Sequence, residues 1–287
     1  MSKVYEALRQ MERENNNDSQ SAPLMSTARP EFLREVLDET SELATAKEIT
    51  LQISERSRLV AFTTPNTLGA EKFRALATRL ENSRSQQAIK SLQITSSIGS
   101  EGKTVVAANL AVTFAKYSRS RVLLLEGDLH RPSLASLFGL AGLPNLSQWW
   151  SEGEQDLPNY LCRVKDLPLW FLSAGEGHQD PSALLRSPRF IEAFGRLCGL
   201  FSWIIVDSTP MHPVADANLW ARLVDGTLLV VREGVASVAA LSAGIQSLDN
   251  LNLIGIVLNE ASEGSRTGYG DGYYGTGPKN GRKPKGI

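Results

Sequence analysis

Lys103 and Thr104 close the stretch Ser96-Ser97-Ile98-Gly99-Ser100-Glu101-Gly102-Lys103-Thr104, whose residue types suit the holding of phosphate. A β-branched apolar run, Leu92 to Thr95, precedes it, and an apolar-periodic segment, Val105 to Tyr117, follows. This is the strand, loop, helix order of a phosphate-binding loop. Such a loop aims backbone N–H groups and a helix N-terminus at an anion, and the lysine adds a point charge. The candidate nucleotide-binding residues are therefore Gly99, Ser100, Glu101, Gly102, Lys103, Thr104 and Val105, with the Thr104 hydroxyl available to Mg²⁺. Ser97 stands where the usual pattern opens with glycine. The competing reading is an ordinary strand-to-helix turn that happens to contain Gly-Lys-Thr.

Nucleotide chemistry also needs carboxylates that hold Mg²⁺ at the phosphates. Two candidate positions lie at the ends of apolar runs. In Leu123-Leu124-Leu125-Glu126-Gly127-Asp128 the two acids are two residues apart, so in extended backbone they point the same way and could share a metal and an incoming hydroxyl. In Trp203-Ile204-Ile205-Val206-Asp207 a single acid closes the run, as in a Walker B motif. One such acid is ordinarily a turn residue or a helix cap. Two of them after a phosphate loop make Lys103, Glu126, Asp128 and Asp207 the catalytic candidates, with Thr104, Asp128 and Asp207 as the metal candidates.

Positioning these groups requires several strands that end on one side. Apolar runs occur at Leu92–Thr95, Val122–Leu125, Leu169–Leu172, Trp203–Val206, Thr227–Val231 and Ile254–Leu258. Helical patterns lie among them at Val105–Tyr117, Ser182–Cys198, Pro213–Leu223 and Ser237–Asn250. Short continuous Val/Ile/Leu runs suit strands buried on both faces. Their alternation with helices predicts an α/β fold with a doubly wound, mostly parallel sheet over residues 61–260. Ligands of such sheets gather at the carboxyl ends of the strands, where the loop and both acidic motifs fall.

Residues 1–60 read as a peripheral arm. Val4, Leu8 and Met11 have helical spacing, a polar linker follows at 15–19, and a second amphipathic segment runs from Glu31 to about Glu39. The first helix either packs on its own core or docks to a partner or membrane surface. Residues 261–287 form a Gly-rich tail with Tyr269, Tyr273 and Tyr274 and a basic end, a composition that cannot build a core. A net charge of −1 gives no electrostatic case for nucleic acid. Cys162 and Cys198 have no metal-ligand spacing and read as reduced, buried thiols. No apolar run reaches the length of a membrane span, and no signal-peptide core is evident. The expected location is cytoplasmic unless a partner holds the chain at the inner face of the membrane.

These segments, in this order, resemble the bacterial tyrosine kinases of capsule and exopolysaccharide synthesis, relatives of the MinD/ParA-type P-loop ATPases. Glu71-Lys72-Phe73-Arg74-Ala75-Leu76 is similar to the family's helix before the loop. Ser96–Thr104 matches its Walker A motif, Leu123–Pro132 its second acidic motif, Pro181–Arg189 an intervening segment, and Asp207–Asp216 with Val224–Arg232 its Walker B region. Tyr5-Glu6-Ala7-Leu8 looks like the start of the exosortase-associated subgroup. The resemblance implies phosphoryl transfer from ATP, with Mg²⁺, to tyrosines on the tails of neighbouring subunits. Tyr269, Tyr273 and Tyr274 would be the phosphoacceptors. Lys103 would hold the β- and γ-phosphates, Asp128 and Asp207 would place the metal, and Glu126 would sit where the family has an Asp that helps bind Mg²⁺ and receives the tyrosine proton. It also implies a homo-oligomer and a separate membrane partner of the polysaccharide co-polymerase, or chain-length regulator, type.

The chain departs from the family pattern at four places. Glu126 replaces Asp, and a misplacement of about 1 Å in a catalytic group can cost roughly 100-fold. His130 stands where Arg is common. Ala77 stands at the second Arg of the subunit-contact motif Glu-x-x-Arg-x-x-Arg, although Glu71 and Arg74 are kept. Three tyrosines make a modest cluster. Two rivals follow: an ATP-binding switch without catalysis, and a MinD/ParA-like ATPase. The second is disfavoured because Ile98 occupies the place of that group's signature lysine.

Overall fold

The structure, a computed structural model, describes residues 43–261 except 45, 154, 176–179, 213–215, 236–241, 243–244 and 247–251. The first amphipathic segment, Glu31–Glu39 and the tail tyrosines therefore lie outside the described residues. So does most of the helix expected at Ser237–Asn250.

The described strands are β1 (Lys47–Ile49), β2 (Ser91–Ser96), β3 (Val122–Glu126), β4 (Cys162–Val164), β5 (Leu169–Leu172), β6 (Trp203–Asp207), β7 (Gly226–Arg232) and β8 (Leu253–Asn259). They form one sheet in the order β1-β4-β5-β3-β6-β2-β7-β8. From β5 to β8 every pairing is parallel. Only the β4–β5 pair is antiparallel, so β1 and β4 run against the other strands.

Side-chain alternation sends each central strand into two cores. On β3, Val122 and Leu124 join one cluster while Leu123 and Leu125 join the other. The first core is built around α3 (Lys103–Tyr117), with α1 (Val60–Thr63) and α2 (Leu68–Gln86) outside it. Phe114 of α3 stacks on Trp203 of β6 with centroids 4.4 Å apart. The opposite core is covered by α5 (Leu146–Glu152), α6 (Pro181–Arg186), α7 (Pro188–Leu200) and α8 (Asp216–Leu223). There Phe190 packs edge-on against both Trp149 and Trp220. Burial on both faces explains the unbroken apolar runs.

All six expected strands are present, each within a residue or so of its expected ends. Two expectations change. The helix expected over Ser182–Cys198 is two helices, because Pro188 opens a new one whose N-cap, Ser187, accepts a hydrogen bond from the Phe190 N–H at 3.1 Å. The packed chain also begins before residue 61: Leu43, Ile49 and Leu59 are buried, and β1 pairs with β4. A three-residue strand carries too little periodicity to be read from sequence.

Candidate functional site

Parallel strands β2, β3 and β6 all end on one side of the sheet, and their register brings the expected residues together. Glu126 and Asp207 are direct partners across β3 and β6. The loop after β2 feeds the N-terminus of α3, whose first residue is Lys103. Lys103 Nζ lies 3.0 Å from Asp128 Oδ2, 3.9 Å from Asp207 Oδ1 and 3.5 Å from Thr104 Oγ1. Thr104 Oγ1 is also 3.5 Å from Ser133 Oγ, a residue not singled out from the sequence.

Backbone contacts fix this geometry. The Gly127 N–H donates to Asp207 O at 2.8 Å. A Cβ on Gly127 would come 2.6 Å from Val206 Cγ1 and 3.1 Å from Asp207 O, so only glycine lets the two acidic strand ends approach so closely. Gly102 has φ +92°, and a Cβ there would meet Asn259 Nδ2 at 2.3 Å. Asn259 at the end of β8 donates to Glu101 O at 2.9 Å and so holds the loop.

Glu101, expected among the nucleotide-binding residues, turns its carboxylate away from the ligand side. It accepts from the Ile98 N–H at 3.0 Å and the Arg232 N–H at 3.2 Å, and it is fully buried. Its side chain braces the loop against β7. Gly99 and Ser100 remain exposed, and Ser100 takes a positive φ of 67°.

Glu126 is placed differently from a residue meant for metal or proton. Its Oε1 accepts from the Leu134 N–H at 2.6 Å and the Ala135 N–H at 3.4 Å. Its Oε2 accepts from Ser173 Oγ at 3.0 Å and the Ala174 N–H at 3.1 Å. The carboxylate ties the start of α4 (Leu134–Leu137) to the end of β5. With both oxygens so engaged it has little capacity for another ligand.

Asp207 is the opposite case. It is fully buried, yet neither carboxylate oxygen accepts a hydrogen bond among the described residues. Burial pushes its carboxyl up to about 7, with the Lys103 ammonium pulling the other way. Ser97 Oγ and Thr209 Oγ1, at neighbouring strand ends, are buried and unpartnered too. Buried polar groups are ordinarily satisfied, so these orphans fit a site whose remaining partners come with a ligand. Two carboxylates, Asp128 and Asp207, with the Thr104 hydroxyl are a donor set that suits Mg²⁺ sharing its other positions with phosphate oxygens and water. Among the described residues no cluster of three or more His, Cys, Asp or Glu side chains could hold a metal alone.

The loop after Asp128 is tethered as well. The Arg131 N–H donates to Asp128 Oδ1 at 3.0 Å. His130 Nε2 lies 2.8 Å from Asp216 Oδ2, while Ser182 Oγ donates to Asp216 Oδ1 at 2.9 Å. This three-residue link joins the second acidic motif to α6 and α8. Ala77 is buried in the core, which leaves no room there for a contact-making arginine. Arg74 instead pairs with Glu71 at 2.6 Å and donates to Tyr117 Oη at 3.0 Å. Cys162 is buried, Cys198 is partly exposed, and both are free thiols. No described helix is long and apolar enough to cross a membrane.

Residues 92–269 match the CobQ/CobB/MinD/ParA nucleotide-binding domain family. The chain is 30% identical over 220 residues to the tyrosine-protein kinase YwqD of Bacillus subtilis, spanning 76% of this chain and 91% of that protein. It is 30% identical over 213 residues to the putative tyrosine-protein kinase CapB of Staphylococcus aureus, spanning 71% and 90%. In three dimensions it matches the kinase domain of the Escherichia coli tyrosine kinase ETK, with a TM-score of 0.68, 26% identity and coverage of 82% and 98%. A MinD protein complexed with Mg-ADP, from Pyrococcus horikoshii, shares the fold at a TM-score of 0.50 and 20% identity. The chain thus belongs to the CobQ/CobB/MinD/ParA nucleotide-binding family, within its bacterial tyrosine-kinase branch.

Proposed function

We propose that this protein is an ATP-dependent protein-tyrosine kinase that phosphorylates the C-terminal tails of its own kind and acts in exopolysaccharide export with a membrane co-polymerase. The observation that carries the reading is the convergence of Lys103, Thr104, Asp128 and Asp207 beside buried, unpartnered polar atoms. Similarity to tyrosine-protein kinases over most of their length supports it.

Transfer would break the bond between the γ-phosphorus and the bridging β–γ oxygen and form one to the tyrosine Oη. ADP leaves, and the phenolic proton passes to a carboxylate. Lys103 would turn from Asp128 toward the β- and γ-phosphates, where its charge offsets the charge that develops on the leaving group. Thr104, Asp128 and Asp207 would hold Mg²⁺, which when bound supplies charge neutralisation at the phosphates. Asp128, the more exposed of the two acids, would receive the tyrosine proton in place of Glu126. Tyr269, Tyr273 and Tyr274 would be the acceptors. This chemistry is mostly positioning and electrostatics, so it tolerates a glutamate that serves as a brace.

A second reading has one observation in its favour. Glu126, at the position of the family's acid, has its carboxylate committed to the protein's own hydrogen bonds. If no other carboxylate takes its role, the chain would bind ATP and switch its partner without transferring phosphate. Incubation with Mg²⁺ and ATP, with and without the partner's cytoplasmic segment, separates the two readings. Tail phosphotyrosine supports the kinase, and ATP binding without it under both conditions supports the switch.

A further inference from the structure

Cations gather at the end of the sheet opposite the phosphate loop. There β6 begins at Trp203 between two basic residues. On one side Arg121 O accepts from the Ser202 and Trp203 N–H groups at 2.9 and 3.2 Å, and on the other Lys90 O accepts from the Ile204 N–H at 2.8 Å. The Arg84 guanidinium lies 5.1 Å from the Trp203 ring centroid. Lys116 stands in the last turn of α3 and Arg119 just past it. Lys165 stands in the turn before β5, where Pro168 O accepts from the Val122 N–H at 3.0 Å. None of these six pairs with a carboxylate among the described residues, whose exposed ion pairs are made by other side chains. Glu81 lies a turn before Arg84, Asp166 lies beside Lys165, and Asp225 Oδ2 is occupied by the Lys90 and Ser91 N–H groups at 2.8 Å each. This end therefore keeps an excess of positive charge in a chain whose net charge is −1.

Helix dipoles account for part of the cluster, since Arg84 and Lys116 lie in last turns, where cations are favoured. They do not account for Lys90, Arg119, Arg121 and Lys165, which stand outside helices. Nor do they account for the rings. Tyr117 is 43% and Phe62 38% exposed, and Lys116 Nζ lies 6.0 Å from the first ring centroid and 5.9 Å from the second. Exposed rings interleaved with cations suit the interface of a bilayer. The rings enter the headgroup layer, and the cations are drawn to anionic lipid.

We infer that this end of the sheet docks on an anionic lipid bilayer. A nucleic-acid duplex would use the same cations and leave both rings in water, so the combination favours the bilayer. β2, β3 and β6 run from this end to the phosphate site over five or six residues, or roughly 16–20 Å. A bilayer here leaves the nucleotide site open and turned away from the lipid. The surface needs no phosphoryl transfer, so it stands or falls apart from the kinase reading.

The test uses the full chain and co-sedimentation with vesicles. The wild type should bind vesicles of phosphatidylglycerol mixed with phosphatidylcholine, bind phosphatidylcholine alone about tenfold more weakly, and lose binding as salt rises. Arg119→Glu with Arg121→Glu should weaken binding by about tenfold or more while the protein melts as wild type does. Phe62→Ser with Tyr117→Ser should weaken it by about threefold or more and leave binding to a DNA duplex unchanged. A benzoylphenylalanine in place of Tyr117 should cross-link to lipid, and one in place of Ser136, exposed at the ligand end, should not. That readout keeps every arginine, so it decides the matter even if a charge-reversed chain fails to fold. The inference is overturned if the wild type ignores anionic vesicles or binds neutral ones equally well. It is overturned too if a folded charge-reversed variant or the ring variant binds vesicles like wild type, or if lipid cross-links form from position 136 and not from 117.

Discussion

Asp207 Oδ1 lies 3.9 Å from Lys103 Nζ and accepts no hydrogen bond among the described residues, although the carboxyl is fully buried. A buried acid left with one distant cation costs stability when charged. Its retention there makes sense if a ligand completes it.

That cost has a sign in pH. The Asp207 carboxyl rises from 3.8 to about 7 on folding. A raised acid contributes its stability below about pH 4 and loses it as pH climbs through about 7, at most about 4 kcal/mol in all. Asp207→Asn should therefore raise the Tm of the nucleotide-free protein at pH 8 and change it little at pH 4.5. The same variant should lose phosphoryl transfer. Thermal melts of both proteins across that range measure the effect.

Glu126 should behave as a brace. Glu126→Asp cannot reach Leu134 and Ala174 together, and Glu126→Gln sets an amide N–H against backbone donors. Each should cost about 1–3 kcal/mol in urea unfolding. Transfer by the folded Gln variant should fall less than tenfold, where loss of a proton acceptor costs roughly 100-fold or more. Asp128→Asn should show that larger loss, with a fall in stability set by the buried ion pair to Lys103 that it weakens.

Glu101 should govern nucleotide affinity through the loop it holds. Removing its bonds to the Ile98 and Arg232 N–H groups by Glu101→Ala should weaken ATP binding by about tenfold, equivalent to about 1.4 kcal/mol. Isothermal titration gives the comparison, and the Glu101→Gln variant should recover part of it.

Much of this site was legible in the sequence because it depends on strand ends. Apolar runs doubly buried between helices announce themselves, and a residue that closes such a run is thereby placed at the ligand face. Lys103, Thr104, Asp128 and Asp207 could be grouped that way. The roles of Glu126 and Glu101 could not. Whether a carboxylate meets a ligand or a backbone N–H depends on partners far along the chain, here Ser173, Ala174 and Arg232. The short elements that supply some of these partners, such as the four residues of α4, show no period. Asn259 and Ser133 were missed for the same reason, and no local signal marks them.

The most direct measurement is tail phosphotyrosine after incubation with Mg²⁺ and ATP, in the presence of the partner's cytoplasmic segment, for the wild-type chain and for Lys103→Met. Phosphate on Tyr269, Tyr273 or Tyr274 in the wild type, and its disappearance in the variant, is the expected result. Wild-type protein that binds ATP but leaves all three tyrosines unmodified, or a Lys103→Met chain that still phosphorylates them, would contradict the assignment of this site as a tyrosine kinase.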